Sequence, residues 1–332
     1  MIRLFYFIYY LKVLDWKKLR IFQTYLESHY GFIIPKQWFL VFYNSLKYNI
    51  SILEYYQFRF FDKSHVEKLS WAGTGYMYEY QKAMNPISLR HILDDKRMFY
   101  KYYREFFVHH VYTLEELVGN SKNIDDLYNS KKIVFKVSNG KCGVSVNILE
   151  SSQIDKNGII SFMKSHGYDM VETFIQQHND LNRLSPSAVN TVRVFTQLND
   201  KNEVEILGCR QRISIDCPVD NMAAGNIAAP INAITGVIDG PGVYSDITKE
   251  PEFIHPITGV EVVGFQVPFW KECLRLVKDA ALKHSQNRSI GWDIVVTANG
   301  PGLIEGNHDW CKLVWQLPVN KGLKHLLKSN YV

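Results

Sequence analysis

The chain has 332 residues, of which 46% are hydrophobic and 21% charged, and its formal net charge is +5 at pH 7. This composition excludes a disordered chain. The length is sufficient for two or three lobes, each with its own core. The charge is too mild and too dispersed to favour nucleic acid as a partner, but it tolerates an anionic ligand such as a nucleotide.

The first segment is aromatic and aliphatic from Ile2 to Leu14, with Arg3 and Lys12 interrupting it. It is shorter than the roughly 20 apolar residues of a membrane-spanning helix, and no small-residue cleavage site follows, so neither a spanning helix nor a signal peptide fits. Two alternatives remain: a helix packed on the N-terminal lobe, or peripheral membrane contact through residues 1–20. The polar side of a surface helix would carry Lys12, Lys17, Lys18 and Arg20.

Residues 1–95 are predicted to form a mainly helical region, because apolar residues recur at three- and four-residue spacings, as from Trp38 to Tyr56. No catalytic constellation is found there. From about residue 130 short β-branched runs alternate with helical patterns, which indicates the α+β class. The predicted strands are Ile133–Val137, Gly143–Ile148, Val192–Leu198, Val204–Leu207 and Ile294–Thr297. The predicted helices are Gly158–His166 and Val267–His284.

Cysteine usage bears on the compartment. The five cysteines, at positions 142, 209, 217, 273 and 311, form no C-x-x-C pair and have no regular spacing. A disulfide framework or a cysteine metal cage is therefore not expected, and a reducing cytoplasm is the simpler location.

The first segment with candidate chemistry is the strand that carries Lys136 and the glycine-containing loop after it. That loop contains Ser138, Gly140, Lys141 and Gly143. Glycines let backbone N–H groups approach a phosphate, and the lysines add positive charge. The segment has neither the spacing of a P-loop nor the helix that follows a Rossmann turn. The structural alternative is a plain β-hairpin with a polar tip.

The second segment brings arginines onto neighbouring strands. Arg193 lies in the strand that begins near Asn190, and Arg210 and Arg212 follow the next strand, before Asn221. The planar guanidinium suits phosphate and carboxylate, so these residues are candidates for holding a transferring phosphoryl group. Surface salt bridging is the alternative for each arginine taken singly.

The third segment is a predicted hairpin with acidic residues at its open end. Asp293 begins an apolar strand, residues 298–302 are a turn by composition, and the returning strand ends in Glu305 and Asn307. Two carboxylates and an amide oxygen are hard ligands that suit Mg²⁺ on a triphosphate. A solvated hairpin is the alternative, but acids flanked by aliphatic residues seldom lack a partner.

In this order and spacing, the segments resemble the ATP-grasp superfamily. The resemblance implies two α+β lobes that clasp ATP, with Lys136 and its loop over the phosphates and Asp293, Glu305 and Asn307 as magnesium ligands. It also implies an adenine site at Glu172, Thr173, Phe174 and Ile175. Residues 190–194, Arg210 and Asn221 look like the corresponding stretch of the ribosomal-protein glutamate ligases. Lys96 resembles the first nucleotide lysine.

The more similar group within the superfamily is the sugar-transfer-associated ATP-grasp family, found in polysaccharide gene clusters. The resemblance covers roughly residues 90–315 and includes Gln177-His178, residues 187–193, residues 219–225, residues 255–259 and Gly291-Trp292-Asp293. One departure concerns Gly291, where many ligases of the superfamily have an arginine that steadies the tetrahedral intermediate. The implied domains are a helical region over 1–95 and an ATP-grasp domain over 96–332, with a flexible lobe at about 130–175 and a metal-binding lobe at about 176–332.

The resemblance implies a carboxylate–amine ligase that uses ATP and Mg²⁺ and passes through an acyl phosphate, with an amino acid joined to a sugar or polysaccharide precursor. Its substrates would be small-molecule or glycan carboxylates and amines, and a glycosyltransferase is a candidate partner. Two alternatives stay open: a kinase of a sugar hydroxyl, and a non-catalytic nucleotide-binding partner of a glycosyltransferase. The expected location is the cytoplasm, with the inner face of the membrane as the alternative.

Overall fold

The computed structural model of the chain describes residues 2–120, 123–138 and 146–327. The α-helices are α1 (Ile2–Lys12), α2 (Trp16–Tyr30), α3 (Ile34–Tyr48), α4 (Ile52–Gln57), α5 (His65–Ser70), α6 (Thr74–Met84), α7 (His91–Asp94), α8 (Lys96–Tyr103), α9 (Leu114–Gly119), α10 (Asn123–Tyr128), α11 (Ile159–His166), α12 (Asn179–Leu184), α13 (Trp270–Lys283) and α14 (Lys312–Gln316). The strands are β1 (Val111–Thr113), β2 (Lys132–Lys136), β3 (Val146–Glu150), β4 (Met170–Thr173), β5 (Val192–Leu198), β6 (Val204–Ile213), β7 (Ile227–Ile231), β8 (Ser289–Thr297) and β9 (Gly300–Asn307).

The N-terminal region is helical, as predicted. Asp15 caps α2 by accepting a hydrogen bond from the Lys18 backbone N–H at 3.0 Å, and Asn49, in the left-handed conformation, ends α3. The apolar run from Trp38 to Tyr56 is therefore divided between α3 and α4. The inner faces of α2, α3 and α4 form a core that includes Leu19, Phe22, Leu26, Val41 and Tyr56. Among the described residues, no helix is long and apolar enough to cross a membrane.

The first sheet has the strand order β1-β4-β2-β3, and every pair in it is antiparallel. Because side chains alternate along a strand, Ile133 and Phe135 of β2 pack towards α9, α10 and α11. Val134 and Lys136, which alternate with them along β2, point to the opposite face. Val134 is the register partner of Glu172 on β4. One face of this sheet is therefore core, and the other lines a cleft.

The second sheet has the order β7-β6-β5-β8-β9, again with every pair antiparallel. Helix α13 covers one face, with Cys273, Val277, Ala280 and Ala281 packed among side chains of β5 and β8. These side chains recur at the three- and four-residue spacing of one helix face. Two mixed helix-and-sheet layers confirm the predicted α+β class.

The other face of the second sheet packs partly against the helical region. Met77, Tyr80 and Met84 of α6 share a core with Phe195 and Trp310. Buried polar contacts join the same parts: the Tyr80 hydroxyl donates to Gln197 Oε1 at 2.8 Å. The helical region is thereby fixed to the sheet that carries the predicted metal ligands. The predicted domain boundary at residue 95 stays a prediction.

Candidate active site

A cleft of about 1520 Å³ lies between the two sheets. The predicted site residues that line it are Lys96, Lys136, Glu172, Phe174, Ile175, Arg193, Arg212, Asn221, Asp293, Glu305 and Asn307. Ser138, Thr173 and Arg210 do not line it, and the predicted phosphate-loop residues Gly140, Lys141 and Gly143 lie outside the described residues. Pockets for single small molecules usually measure about 300–1,000 Å³, so this cleft has room for more than one substrate.

The acidic residues are brought together by the hairpin of β8 and β9. Asp293 is paired with Glu305, and a β-bulge follows directly after Asp293. Asn307 lies two residues beyond Glu305 on the same face, and its Nδ2 donates to Glu305 Oε1 at 3.2 Å. The three predicted metal ligands therefore face the cleft as one group.

Two arginines from neighbouring strands neutralise Asp293. The Arg193 guanidinium is paired with both carboxylate oxygens of Asp293, with an Nη2–Oδ2 distance of 2.7 Å, and Arg212 Nη1 donates to the same Oδ2 at 2.9 Å. Burial by itself would raise the pKa of Asp293, but these two positive charges outweigh it and lower the pKa to about 2. Asp293 is therefore ionised at neutral pH.

The pKa of Glu305 is shifted in the opposite direction to that of Asp293. Burial, together with the negative charge of Asp293, raises its pKa, although Arg193 and Lys96 act in the opposite direction. A carboxylate so placed is short of positive charge, and a divalent cation would supply it. The described residues contain no group of three or more His, Cys, Asp or Glu able to hold a metal. Asp293 and Glu305 form a pair of carboxylates, beside which lies the amide of Asn307. Two carboxylates and an amide are oxygen donors of the kind that Mg²⁺ prefers, and the residues present fit that ion.

Arg212 also joins a second carboxylate that the sequence did not single out. Its Nη2 lies 2.5 Å from Asp220 Oδ1, and Asp220 Oδ2 accepts from the backbone N–H of Thr191 at 2.7 Å. Asp220 therefore fixes the Arg212 guanidinium between two acids. The signal in the sequence was its position directly before Asn221. Asn221 itself faces the cleft and caps a short helical turn through Ala223.

Arg210 differs from the other two arginines. Its Nε donates to the Trp315 carbonyl at 3.1 Å and its Nη1 to the Cys209 carbonyl at 2.7 Å. The residue is only 3% exposed, and burial lowers the pKa of its guanidinium to about 10. Arg210 is thus placed behind the cleft, where it holds the segment after β9 against the sheet.

The opposite wall carries Lys136 and Glu172, which are ion-paired with each other. His109 Nε2 lies 3.4 Å from the second oxygen of Glu172. Burial would raise the pKa of Glu172, but Lys136 and His109 together lower it to about 2. His109 was not predicted, because a histidine just before a three-residue strand gives no clear signal.

Two further predicted nucleotide contacts, Ser138 and Thr173, make hydrogen bonds within the protein. The Ser138 backbone N–H donates to Asp169 Oδ1 at 2.7 Å, and Thr173 Oγ1 accepts from the backbone N–H of His110 at 3.2 Å. Lys96 begins α8, which Asp95 caps by accepting from the Arg97 backbone N–H at 2.7 Å. Lys96 therefore lies at the helix start and lines the cleft, and its role as a nucleotide lysine stays a prediction.

The helical region supplies the far end of the cleft. Asp15, Lys18, Glu54 and Gln57 are among its lining residues, although the sequence showed no constellation there. Lys312 Nζ lies 3.0 Å from Glu54 Oε1, which places an ion pair between a partly exposed lysine and a buried glutamate at this end. The signal that was available was the Ser51-x-x-Glu54 pattern, but it also predicts an ordinary capping box, which Glu54 does form.

A family model described as sugar-transfer associated ATP-grasp matches residues 76–330, more than three quarters of the chain. A search of curated proteins found no match.

Several solved structures are similar at low identity. One is an N5-carboxyaminoimidazole ribonucleotide synthetase in its ADP complex, with 9% identity, a TM-score of 0.38, and coverage of 65% of this chain and 45% of that chain. Another is a D-alanine–D-alanine ligase from Bacillus anthracis, with 14% identity, a TM-score of 0.38, and coverage of 73% and 66%. A biotin carboxylase from Campylobacter jejuni, solved as a beta-gamma-ATP complex, has 14% identity, a TM-score of 0.41, and coverage of 75% and 53%. The chain thus spans less than half the length of the synthetase.

Proposed function

Because the chain belongs to the sugar-transfer-associated ATP-grasp family, we propose that it is an ATP-dependent carboxylate–amine ligase that works through an acyl phosphate. Family membership confirms the ATP-grasp fold and the resemblance seen in the sequence, and members of this superfamily are ATP-dependent ligases. The observation that carries the proposal is the arrangement of the cleft: Lys136 on one wall faces Arg193, Arg212 and the acidic group on the other.

In the proposed reaction, a substrate carboxylate attacks the γ-phosphorus of ATP and ADP leaves. An amine then attacks the acyl carbon, the amide forms, and the departing phosphate takes the proton that the amine loses. Lys136 would exchange Glu172 for a phosphate when the nucleotide binds, and Arg193 and Arg212 would stabilise the charge that develops during both steps. Mg²⁺ held by Asp293, Glu305 and Asn307 would neutralise phosphate charge. No side chain has to carry a proton in this scheme, so positioning and electrostatics supply most of the rate.

The acceptor is proposed to be a sugar or polysaccharide precursor that is joined to an amino acid. The family's association with sugar transfer supports this substrate class, and the volume of the cleft supports two substrates bound beside each other. The end lined by Asp15, Lys18 and Lys312 is the proposed place for the acceptor. On the same association, a glycosyltransferase is the proposed partner and the cytoplasm the proposed location.

The test is product analysis with purified protein, MgATP, and pairs of amino acids with uronic acids or amino sugars. ADP together with a new amide mass supports the ligase. ADP with a phosphate ester indicates a kinase instead, and the absence of turnover with every pair would favour a non-catalytic nucleotide-binding protein. Glu305→Gln is expected to abolish ADP release, while Glu250→Gln, at an exposed acid away from the cleft, serves as the matched control.

A further inference from the structure

Helices α1 and α3 lie side by side and antiparallel at the surface of the helical region. Arg3, near the start of α1, donates to the carbonyls of Leu46 and Lys47 at the end of α3, at 3.0 and 2.8 Å. The rings of Phe7 and Phe42 meet edge to face, with their centroids 5.0 Å apart. The two helices therefore form one continuous surface.

The outward side of this helix pair is strongly apolar. Phe7 and Tyr10 of α1 point inward and are buried, yet Phe5 on the outer side is 65% exposed. A helix that is apolar on all sides is usually covered on all sides. On α3, Phe39 is 69% exposed. The exposed residues that define what we term the α1/α3 surface are Phe5, Ile8 and Tyr9 of α1, Val13 directly after it, and Phe39 of α3. Single exposed apolar residues are ordinary, but a set on adjoining helices indicates a binding surface.

Positive charge is concentrated on the same part of the chain. Residues 1–48 contain seven Lys and Arg but only two acids, Asp15 and Glu27. That excess of five equals the formal net charge of the whole chain, so residues 49–332 are balanced. The charge is therefore not dispersed, as the composition alone suggested, but belongs to the first three helices, two of which carry the apolar surface. Lys12, Lys17 and Arg20 are exposed there.

We propose that the α1/α3 surface docks on a lipid bilayer that contains anionic headgroups. The aromatic and aliphatic side chains would enter the interface, while the surrounding lysines and arginines contact the headgroups. A second copy of the chain is a poor occupant, because it would place two sets of seven cations against each other. The proposal extends the membrane alternative predicted for residues 1–20 to a surface of two helices.

The test is co-sedimentation of the full chain with vesicles of phosphatidylcholine alone or mixed with phosphatidylglycerol. We expect binding to the mixed vesicles that weakens with added salt, and about fivefold weaker binding for each of Lys12→Gln and Lys17→Gln. The double variant Phe5→Ser/Phe39→Ser is expected to lose binding. Phe253→Ser is the matched control, since Phe253 is 62% exposed but lies elsewhere. Thermal unfolding of each variant verifies that it is folded.

Absence of sedimentation with mixed vesicles would overturn the proposal, as would unchanged binding of the double variant. So would a concentration-dependent dimer in size-exclusion chromatography that the double variant abolishes, because the surface would then bind a second copy. None of these measurements depends on catalytic activity.

Discussion

Arg210 and Arg212 are two residues apart on one strand, yet their surroundings predict different effects of substitution. Arg212→Met would leave Asp220 and Asp293, which are both buried, without a shared cation. Breaking a buried ion pair in this way usually costs about 3–5 kcal/mol of unfolding free energy. Because Arg212 is proposed to stabilise the transferring phosphoryl group, its loss is also expected to lower turnover by about a hundredfold or more. Urea unfolding and ADP release measure the two effects.

Arg210→Met is the comparison. It removes a buried cation, which favours folding, but it also leaves the Trp315 and Cys209 carbonyls without their donors. Because the two effects oppose each other, we expect a change below about 2 kcal/mol in unfolding free energy. The stabilisation by MgATP should be unchanged. Its loss in Arg210→Met would mean that Arg210 acts in the nucleotide site after all.

Glu172 gives a prediction about pH. Its pKa is lowered from 4.5 to about 2, so the ionised form stabilises the folded protein fully above pH 4.5, and this contribution is lost as the pH falls towards 2. The full effect amounts to about 3 kcal/mol. The unfolding free energy of the wild type should therefore fall more steeply below pH 4.5 than that of Glu172→Gln. Parallel curves for the two proteins, with Glu250→Gln as control, would show that Glu172 is not stabilised by Lys136 and His109.

For single residues, the distance along the chain between two contacting side chains decided whether their contact could be predicted. Asp293, Glu305 and Asn307 could be grouped because a short turn joins their strands and fixes the pairing. The bond between Arg193 and Asp293 crosses 100 residues, and nothing in the local pattern indicates that β5 lies beside β8. The same is true of His109 and Glu172.

Among helices and strands, those with strong apolar periodicity were predicted more accurately than short ones. The predicted strand Val192–Leu198 has the same bounds in the structure, and the predicted helix Val267–His284 is observed over Trp270–Lys283. Both have strong apolar periodicity. The three-residue strand β1 and the order of strands in each sheet were not predicted, because short elements and sheet order depend on tertiary packing.

Gly291, on β8, gives a prediction at the scale of the element. A Cβ atom there would lie 2.6 Å from Trp310 Cβ and 3.4 Å from Arg193 Cδ. A side chain at this position would thus meet Trp310, while the Arg193 guanidinium on the neighbouring strand is paired with Asp293. Gly291→Ala is expected to cost about 1–3 kcal/mol of unfolding free energy, because Trp310 would have to move. Gly119→Ala is the control, since nothing lies within 4 Å of its added Cβ. Equal stability of both variants would contradict this packing.

At the scale of the whole molecule, buried polar bonds join the helical region to the second sheet. Asn85 Nδ2 donates to the Ser289 carbonyl at 2.8 Å and to the His308 carbonyl at 3.2 Å. Gln316 exchanges hydrogen bonds with both backbone groups of Ala72, at 2.9 and 3.0 Å. Such groups are costly when left without partners. The helical region is therefore expected to unfold together with the rest of the chain.

A point substitution tests this coupling within the full chain. Asn85→Ala would leave two buried carbonyls and the Ser289 backbone N–H without partners, at a cost of about 2–4 kcal/mol of unfolding free energy. Asn129→Ala, at an exposed position, should change it little. A small effect of Asn85→Ala would mean that the two parts are only loosely joined.

The segment 96–332 is predicted from the sequence as an ATP-grasp domain. A chain shortened to this segment tests whether it can fold without the helical region. Removing residues 1–95 takes away Met77, Tyr80 and Met84 and so exposes Phe195 and Trp310, which share a core with them. It also removes the acidic and basic residues that line the far end of the cleft. We expect the shortened chain to show no cooperative thermal transition and to bind a hydrophobic dye, whereas the full chain unfolds in one step that MgATP shifts upward. A shortened chain with a cooperative, MgATP-dependent transition would instead establish that the nucleotide site is built without the helical region.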